Sequence, residues 1–229
     1  MSTLNRLFRE SNSLADYAGR YASYIAELLD QLDYAAIDRV GGLLEAARLH
    51  GRTIFIVGNG GSAATASHLA CDLALGPRGL GGKAYRAISL SDNNALLTAA
   101  GNDVGYETVF SEQLKTLLAP DDVVLAISAS GNSPNIIEAV EYANRVGAMT
   151  IALTGFDGGR LRHVAREYIH IATPKGDYGP VEDLHLMVNH LISSYLVRLT
   201  RAENDGELVF ALNRQARVRE SVSTPLETV

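Results

Sequence analysis

His68 and Asp72 are two residues of this sequence whose types and spacing could bind a metal ion. They lie four positions apart in a stretch that predicts a helix, so both side chains project from one face of it, about one turn apart. Imidazole nitrogens and carboxylate oxygens are ligands of zinc and of similar divalent ions. The same spacing is typical of a hydrogen bond on a helix surface, so the pair alone leaves both interpretations open.

A second group of titratable residues lies in the last predicted helix. We expect this helix from Val181 to about Arg201, because Pro180 suits a first helical position. At about 100° per residue, His190 lies about 80° from Glu182 around the helix, so the two could share a pocket. His185 lies well around the helix from His190, in an apolar stripe, and we interpret it as a structural histidine. The candidate metal ligands from both helices are His68, Asp72, Glu182 and His190.

Two loops rich in glycine and serine each follow an apolar run typical of a buried strand. Residues 58–62 read Gly-Asn-Gly-Gly-Ser, and residues 128–133 read Ser-Ala-Ser-Gly-Asn-Ser. Glycine lets the backbone approach an anion closely, while serine hydroxyls and the free N–H groups of a helix N-terminus donate hydrogen bonds to it. The pair of loops therefore predicts a phosphate site, with ordinary strand-to-helix turns as the alternative.

Two shorter polar segments allow either a binding or a structural role. Asp92, in the segment 91–94, could bind sugar hydroxyls, although Asp and Asn are also good helix N-caps. Residues 101–106 are similar to a tight turn before a helix, and a structural role is the favoured interpretation there.

The elements that must position these residues alternate along the chain. After two amphipathic helices between about 12 and 50, short β-branched runs alternate with helical patterns. The predicted strands lie near 53–57, 84–89, 122–127, 149–153 and 167–171, and the predicted helices between them near 62–75, 107–118 and 133–146. This alternation predicts an α/β fold with a doubly wound parallel five-stranded sheet and an N-terminal helical extension. Ligands of such sheets bind outside the carboxyl ends of the strands, where both loops lie.

Composition limits the classes of protein to which the chain can belong. Its 229 residues, 47% of them hydrophobic, suffice for one substantial core, and a net charge of −6 argues against wrapping a nucleic acid. The single cysteine, Cys71, excludes an intrachain disulfide framework. No stretch approaches the length of a membrane span and the N-terminus lacks an apolar signal region, so we predict a cytoplasmic protein.

The combination of motifs resembles the sugar isomerase (SIS) domain family, and more narrowly its phosphoheptose isomerase branch. The likeness covers about residues 12–201 and includes the order of the motifs: Gly58–Ser62, His68, Gly101–Asp103, Ser128–Ser133, Leu153–Gly155 and Glu182–His185. It implies three segments: N-terminal helices for oligomerisation (1–50), a phosphosugar-binding SIS domain (51–202) and a C-terminal tail (203–229). In the tail we expect a short element around 208–212.

The resemblance also implies roles for single residues and a partner for the chain. It implies a homotetramer with active sites between subunits, and a zinc ion held by the four candidate ligands. It implies that Asp72 and His190 act as the acid and base of an aldose–ketose isomerisation through an enediol, on sedoheptulose 7-phosphate or a related long-chain ketose phosphate. The residues that it assigns to the substrate are Asn59, Gly60, Ser62, Asp92, Ser128, Ser130, Ser133 and Glu182.

The sequence departs from the family pattern at two of the four ligand positions. Asp72 stands where the family has glutamate, and Glu182 where it has glutamine. An acidic residue that the family places three positions before that glutamine is Gly179 here. The alternative to an enzyme is a noncatalytic SIS domain that binds phosphosugars or serves as a scaffold for a replication initiator.

Overall fold

A computed structural model of the chain describes residues 2–76 and 83–204, with side chains as far as residue 201. Five parallel strands form one sheet in the order β2-β1-β3-β4-β5. Their bounds are β1 Thr53–Gly58, β2 Arg86–Ser89, β3 Val123–Ser128, β4 Met149–Phe156 and β5 Glu167–Ala172. The strand order reverses beside β1, which confirms the predicted doubly wound α/β fold.

Helices precede, connect and follow the strands. Their bounds are α1 Thr3–Glu10, α2 Leu14–Asp30, α3 Tyr34–Leu49, α4 Gly61–Leu75, α5 Asn94–Asp103, α6 Ser111–Leu117, α7 Pro134–Val146, α8 Leu161–Val164 and α9 Tyr178–Asn204, with a 3₁₀ turn at Tyr106–Thr108. Among the described residues, no helix combines the length and the apolar character that crossing a membrane requires.

The two faces of the sheet are covered by different helices. Alternate residues of β1 point to opposite faces, so Ile54 and Ile56 pack with α3, α4 and α9, while Phe55 and Val57 pack with α5, α6 and α7. Helix α3, predicted as part of an extension, belongs to the first of these cores, because Val40 and Leu44 are fully buried within it.

The first two helices are attached to the start of α9 through Asp177. This carboxylate is fully buried and accepts the main-chain N–H groups of Thr3 and Leu4 and the hydroxyl of Tyr24. A carboxylate at a helix N-terminus satisfies free N–H groups and interacts favourably with the helix dipole. Asp177 therefore fixes α1 and α2 close to the last helix.

The sequence predictions need correction at four places. Helix α9 begins at Tyr178, three residues before the predicted start at Val181, so Pro180 is its third residue and not its first. The helix predicted over 107–118 is the 3₁₀ turn followed by α6, and α1 was not predicted. The segment 101–106, predicted as a tight turn, begins inside α5, because Asn93 caps that helix by accepting the N–H of Leu96 and the apolar run after it continues the helix. The short element expected at 208–212 lies outside the described residues.

Candidate active site

His68, Asp72 and His190 lie together although 118 positions separate the last two in sequence. Each offers one ligand atom, and these atoms all lie within 4.8 Å of one another. The two Nε2 atoms are 3.1 Å apart, and His68 Nε2 lies 3.6 Å from Asp72 Oδ1. Both histidine side chains are exposed and Asp72 is partly buried, so an ion or a substrate has access to the group. We call these three residues the histidine cluster.

The donor atoms of the histidine cluster fit a zinc ion. Two nitrogens that each lie about 2.0 Å from zinc in tetrahedral geometry are about 3.3 Å apart, and the observed separation of the imidazole nitrogens is 3.1 Å. Two imidazoles with one carboxylate are a common ligand set for zinc and leave a coordination position open. The histidine cluster is therefore a group that could hold a metal ion.

Helices α4 and α9 create the histidine cluster by packing in parallel, with a nearly constant difference in residue number between the residues that meet. His68 meets His190, and the next pair along the same contact is Asp72 with Ser193, separated by 122 and 121 positions. Ser193 is buried and donates its hydroxyl to Asp72 Oδ2 at 3.0 Å. The cluster thus depends on the register of two helices.

Glu182 also lies on α9, at its contact with α4, but apart from the histidine cluster. It packs against Gly61, and a Cβ built on this glycine would stand 2.5 Å from Glu182 Oε2. Gly61 is the first residue of α4, so the carboxylate of Glu182 lies at the positive end of that helix dipole, beside the first glycine loop. Of the four predicted ligands, the structure brings three together, and a ligand role for Glu182 stays a prediction.

The second loop, residues 128–133, is referred to here as the serine loop. Ser128 Oγ accepts the N–H of Gly131, and Ser130 Oγ accepts the N–H of Asn132, so both hydroxyls shape the turn. Ser133 is the N-cap of α7, but its side chain makes no capping hydrogen bond and Pro134 follows at the first helical position. The Ser133 hydroxyl therefore remains available to a ligand at the N-terminus of α7, a position that favours anions.

Gly131 fixes the shape of the serine loop. Its φ of +62° lies in the left-handed region, and a Cβ built on it would stand 2.0 Å from the carbonyl oxygen of Gly158. The serine loop thus packs directly on the loop that follows β4. The two loops lie too close together for any side chain at position 131.

A reciprocal amide pair connects the two loops. Asn59 and Asn135 each donate Nδ2 to the other's Oδ1 at 2.9 Å, and Tyr106 adds a hydrogen bond to Asn59 Oδ1 at 3.2 Å. Asn135 is buried, so it holds the partly buried Asn59 in one orientation. The sequence analysis missed Asn135, Tyr106 and Ser193. Asn135 is a polar residue only two positions after the end of the serine loop, and that was the available signal for the first of them.

The remaining predicted substrate residues surround the first loop. Gly60 is the N-cap of α4 with a positive φ, and Ser62 is buried in the first turn of that helix. Asp92 is exposed, and its carboxylate accepts the hydroxyl of Ser67 on α4. In segment 91–94 the N-cap of α5 is Asn93 and not Asp92. The exposed carboxylate of Asp92 therefore remains accessible to a ligand.

This parallel sheet, with a polar loop after each of two neighbouring strands, matches a known family. The model of the SIS domain matches residues 20–155, more than half of the chain. The chain therefore belongs to the SIS domain family.

Within this family the chain falls in the phosphoheptose isomerase branch that the motifs indicated. It is 43% identical over 148 residues to the phosphoheptose isomerase of Akkermansia muciniphila, an alignment that covers 65% of this chain and 77% of that protein. Two solved structures are also similar. One is phosphoheptose isomerase GmhA from Neisseria gonorrhoeae, with a TM-score of 0.67, 30% identity and coverage of 77% of this chain and 96% of that chain. The other is a phosphoheptose isomerase from Francisella tularensis, with a TM-score of 0.74, 26% identity and coverage of 81% and 99%.

Proposed function

We propose that this protein is a phosphoheptose isomerase, which interconverts sedoheptulose 7-phosphate and the corresponding aldose phosphate. The observation that carries the proposal is the histidine cluster, in which two titratable residues of α4, the helix that follows the first glycine loop, meet His190 of α9. The names of the similar proteins support a phosphorylated heptose as the substrate, and sedoheptulose 7-phosphate is the one that the resemblance of the motifs implies. A related long-chain ketose phosphate is the other substrate of the same chemical class.

The serine loop is the proposed phosphate site. Ser128, Ser130 and Ser133 belong to the loop that leads into α7, and the hydroxyls and free main-chain N–H groups at that helix N-terminus would bind the phosphate. Asn59, fixed by Asn135, and Asp92 contact the sugar hydroxyls in this proposal, together with Gly60, Ser62 and Glu182 around the first loop. Holding the phosphate orients the sugar, and good orientation lowers a reaction barrier by several kcal/mol.

The proposed reaction consists of two pairs of proton transfers, with a cis-enediol between them. A base removes a proton from carbon 1 of the ketose, and an acid protonates the carbonyl oxygen on carbon 2. A proton then returns to carbon 2 while the hydroxyl on carbon 1 loses its proton, which gives the aldehyde with no net gain or loss of electrons. Asp72 and His190 are the proposed acid and base because a partly buried carboxylate and an exposed imidazole lie side by side here.

Zinc is the proposed ion of the histidine cluster. His68, Asp72 and His190 would hold it, with Glu182 as a further candidate. A bound zinc ion would polarise the substrate carbonyl as a Lewis acid and stabilise the negative charge of the enediolate. The residues of the chain still carry out binding, orientation and proton transfer.

The proposed assembly is a homotetramer with active sites at subunit interfaces. Beside Asp72 and His190 lies a groove of about 1200 Å³ between α2, α4 and α9. Its walls include the exposed apolar side chains of Leu75, Met187 and Leu191. An exposed apolar surface of this kind supports an interface role, in which the N-terminal helices (1–50) take part. We also propose a cytoplasmic location, where an exposed free thiol such as Cys71 stays reduced.

An assay with sedoheptulose 7-phosphate tests the proposed function. The purified protein is treated with chelator and assayed with and without added zinc. We expect the sample supplied with zinc to form the aldose phosphate. His190→Ala and Asp72→Asn are expected to lower kcat by about 10²- to 10⁴-fold, the usual contribution of a general acid or base.

His50→Ala is the matched control. His50 is an exposed histidine after α3, just before β1, and lies at the opposite edge of the sheet from the two loops. This variant is expected to keep wild-type turnover. Binding of the sugar phosphate without turnover under every metal condition would refute the enzyme and leave the noncatalytic phosphosugar-binding module.

A further inference from the structure

Ser193 uses its hydroxyl differently from several other serines and threonines on the helices of this protein. Ser23, Ser194 and Thr200 donate to carbonyl oxygens of their own helix, three or four residues back. This is the ordinary behaviour of hydroxyl groups in helix interiors. Ser193 instead reaches across to α4 and donates to Asp72 Oδ2 at 3.0 Å.

The two carboxylate oxygens of Asp72 have different neighbours. Ser193 occupies Oδ2, and Oδ1 lies 3.6 Å from His68 Nε2. Ser193 is only 4% exposed, so water competes little for its hydroxyl. An aspartate carboxylate can rotate about its last side-chain bond, and a fixed donor on one oxygen restricts that rotation.

We propose that Ser193 is a positioning residue that presents Asp72 Oδ1 to a metal ion held by the histidine cluster. The inference rests on the metal site of the proposed function. It adds a residue that would act on the metal ion only through the carboxylate of Asp72. Hydrogen bonds to a ligating carboxylate orient it, and loss of such a partner typically lowers metal affinity by about 10- to 100-fold.

Zinc affinity of the chelator-treated, full-length protein tests this role without using turnover. Wild type, Ser193→Ala and Ser194→Ala are titrated with zinc by calorimetry. Ser194 is the matched control, because it is the neighbouring serine on α9 and bonds only to its own helix in the contacts described. We expect Ser193→Ala to bind zinc about 10- to 100-fold more weakly and Ser194→Ala to bind it as wild type does.

A double-mutant cycle separates a specific role from a general structural one. In an Asp72→Ala background, Ser193→Ala is expected to change zinc affinity no further, because its partner is gone. Alanine is smaller than serine and a strong helix former, so the variant is expected to fold. A urea unfolding curve of each variant checks this.

Three results would overturn the role of Ser193: wild-type zinc affinity in Ser193→Ala, an equal loss in the Asp72→Ala background, or absence of zinc binding by the wild-type histidine cluster. None of these decides the isomerase proposal, which fails only in the turnover assay. Conversely, absent turnover with intact zinc binding would refute the isomerase and leave the zinc measurements to decide on Ser193.

Discussion

The serine loop and the histidine cluster are built in opposite ways. In the serine loop, hydrogen bonds span two or three residues, and a glycine with positive φ closes the turn. In the histidine cluster, the contacts between α4 and α9 join residues more than 100 positions apart and are fixed by the packing of these two helices. A local turn therefore shapes the anion site, whereas helix register shapes the site of proton transfer.

This difference predicts that each region can be damaged without the other. Changes inside residues 128–133 are expected to act on substrate binding or on local backbone stability. Changes along α9 are expected to act on metal binding and on kcat, because His190 and Ser193 both lie there.

Gly131→Ala is expected to cause the largest loss of stability. The added methyl group overlaps the Gly158 carbonyl, and the residue must keep a φ of +62°. Overpacking costs about 1–3 kcal/mol and a left-handed alanine about 1–2 kcal/mol, so we expect the free energy of unfolding to fall by about 2–5 kcal/mol. Urea unfolding measures it.

Gly147→Ala is the control for backbone conformation alone. Gly147 ends α7 with a φ of +95°, and nothing lies within 4 Å of a Cβ built there. This variant is expected to lose only the conformational part of the stability. Equal losses in the two variants would show that the contact with Gly158 contributes nothing.

Acid is expected to lower the free energy of unfolding through His185, a buried residue of α9. Complete burial lowers the pKa of His185 from 6.5 to about 4, against a smaller opposing contribution from the main chain of Thr154. The unfolded chain then binds this proton near pH 6.5 and the native protein only near pH 4. Stability from this residue is therefore complete above pH 6.5 and is lost as the pH falls towards 4.

The shift corresponds to about 3 kcal/mol of unfolding free energy at about 1.4 kcal/mol per pKa unit. Urea unfolding of the chelator-treated protein at several pH values is the measurement. His185→Leu is expected to remove this part of the acid dependence, while His163→Leu, at an exposed position on α8, is expected to retain it. An unchanged profile in His185→Leu would contradict the assignment. The serine loop contains no titratable side chain and contributes nothing to this dependence.

Ser133→Ala is expected to have the smallest effect, one confined to binding. Loss of a hydrogen bond to a charged group corresponds to about 1.5–3 kcal/mol, so we expect KM for the sugar phosphate to rise at least about tenfold with kcat little changed. Steady-state kinetics measures both parameters. Ser23→Ala, at an exposed serine of α2, is the control. A fall in kcat at unchanged KM would contradict a binding role and place Ser133 with the proton-transfer groups.

Much of the fold could be predicted because it follows from local patterns. The apolar β-branched runs gave all five strands within a few residues of their bounds, and the parallel arrangement follows from the helices between them. The errors fall where local signals were weak or ambiguous. Helix α5 was not predicted, because residues that favour turns form both its cap at Asn93 and its end at 101–103.

Part of the site could be predicted from local sequence, and part of it depends on how the helices pack. The amino-acid sequence determines the serine loop, because glycine and serine types at fixed short spacing dictate a turn with few alternatives, and it fixes His68 and Asp72 one helical turn apart. Only the tertiary structure decides that His190 joins them, that Glu182 lies at Gly61 instead, and that Ser193 faces Asp72. Helical periodicity specifies which side of α9 a residue occupies, whereas the partner it meets depends on how far α9 is shifted along α4. That shift is set by the packing of the whole interface and is carried by no single local motif.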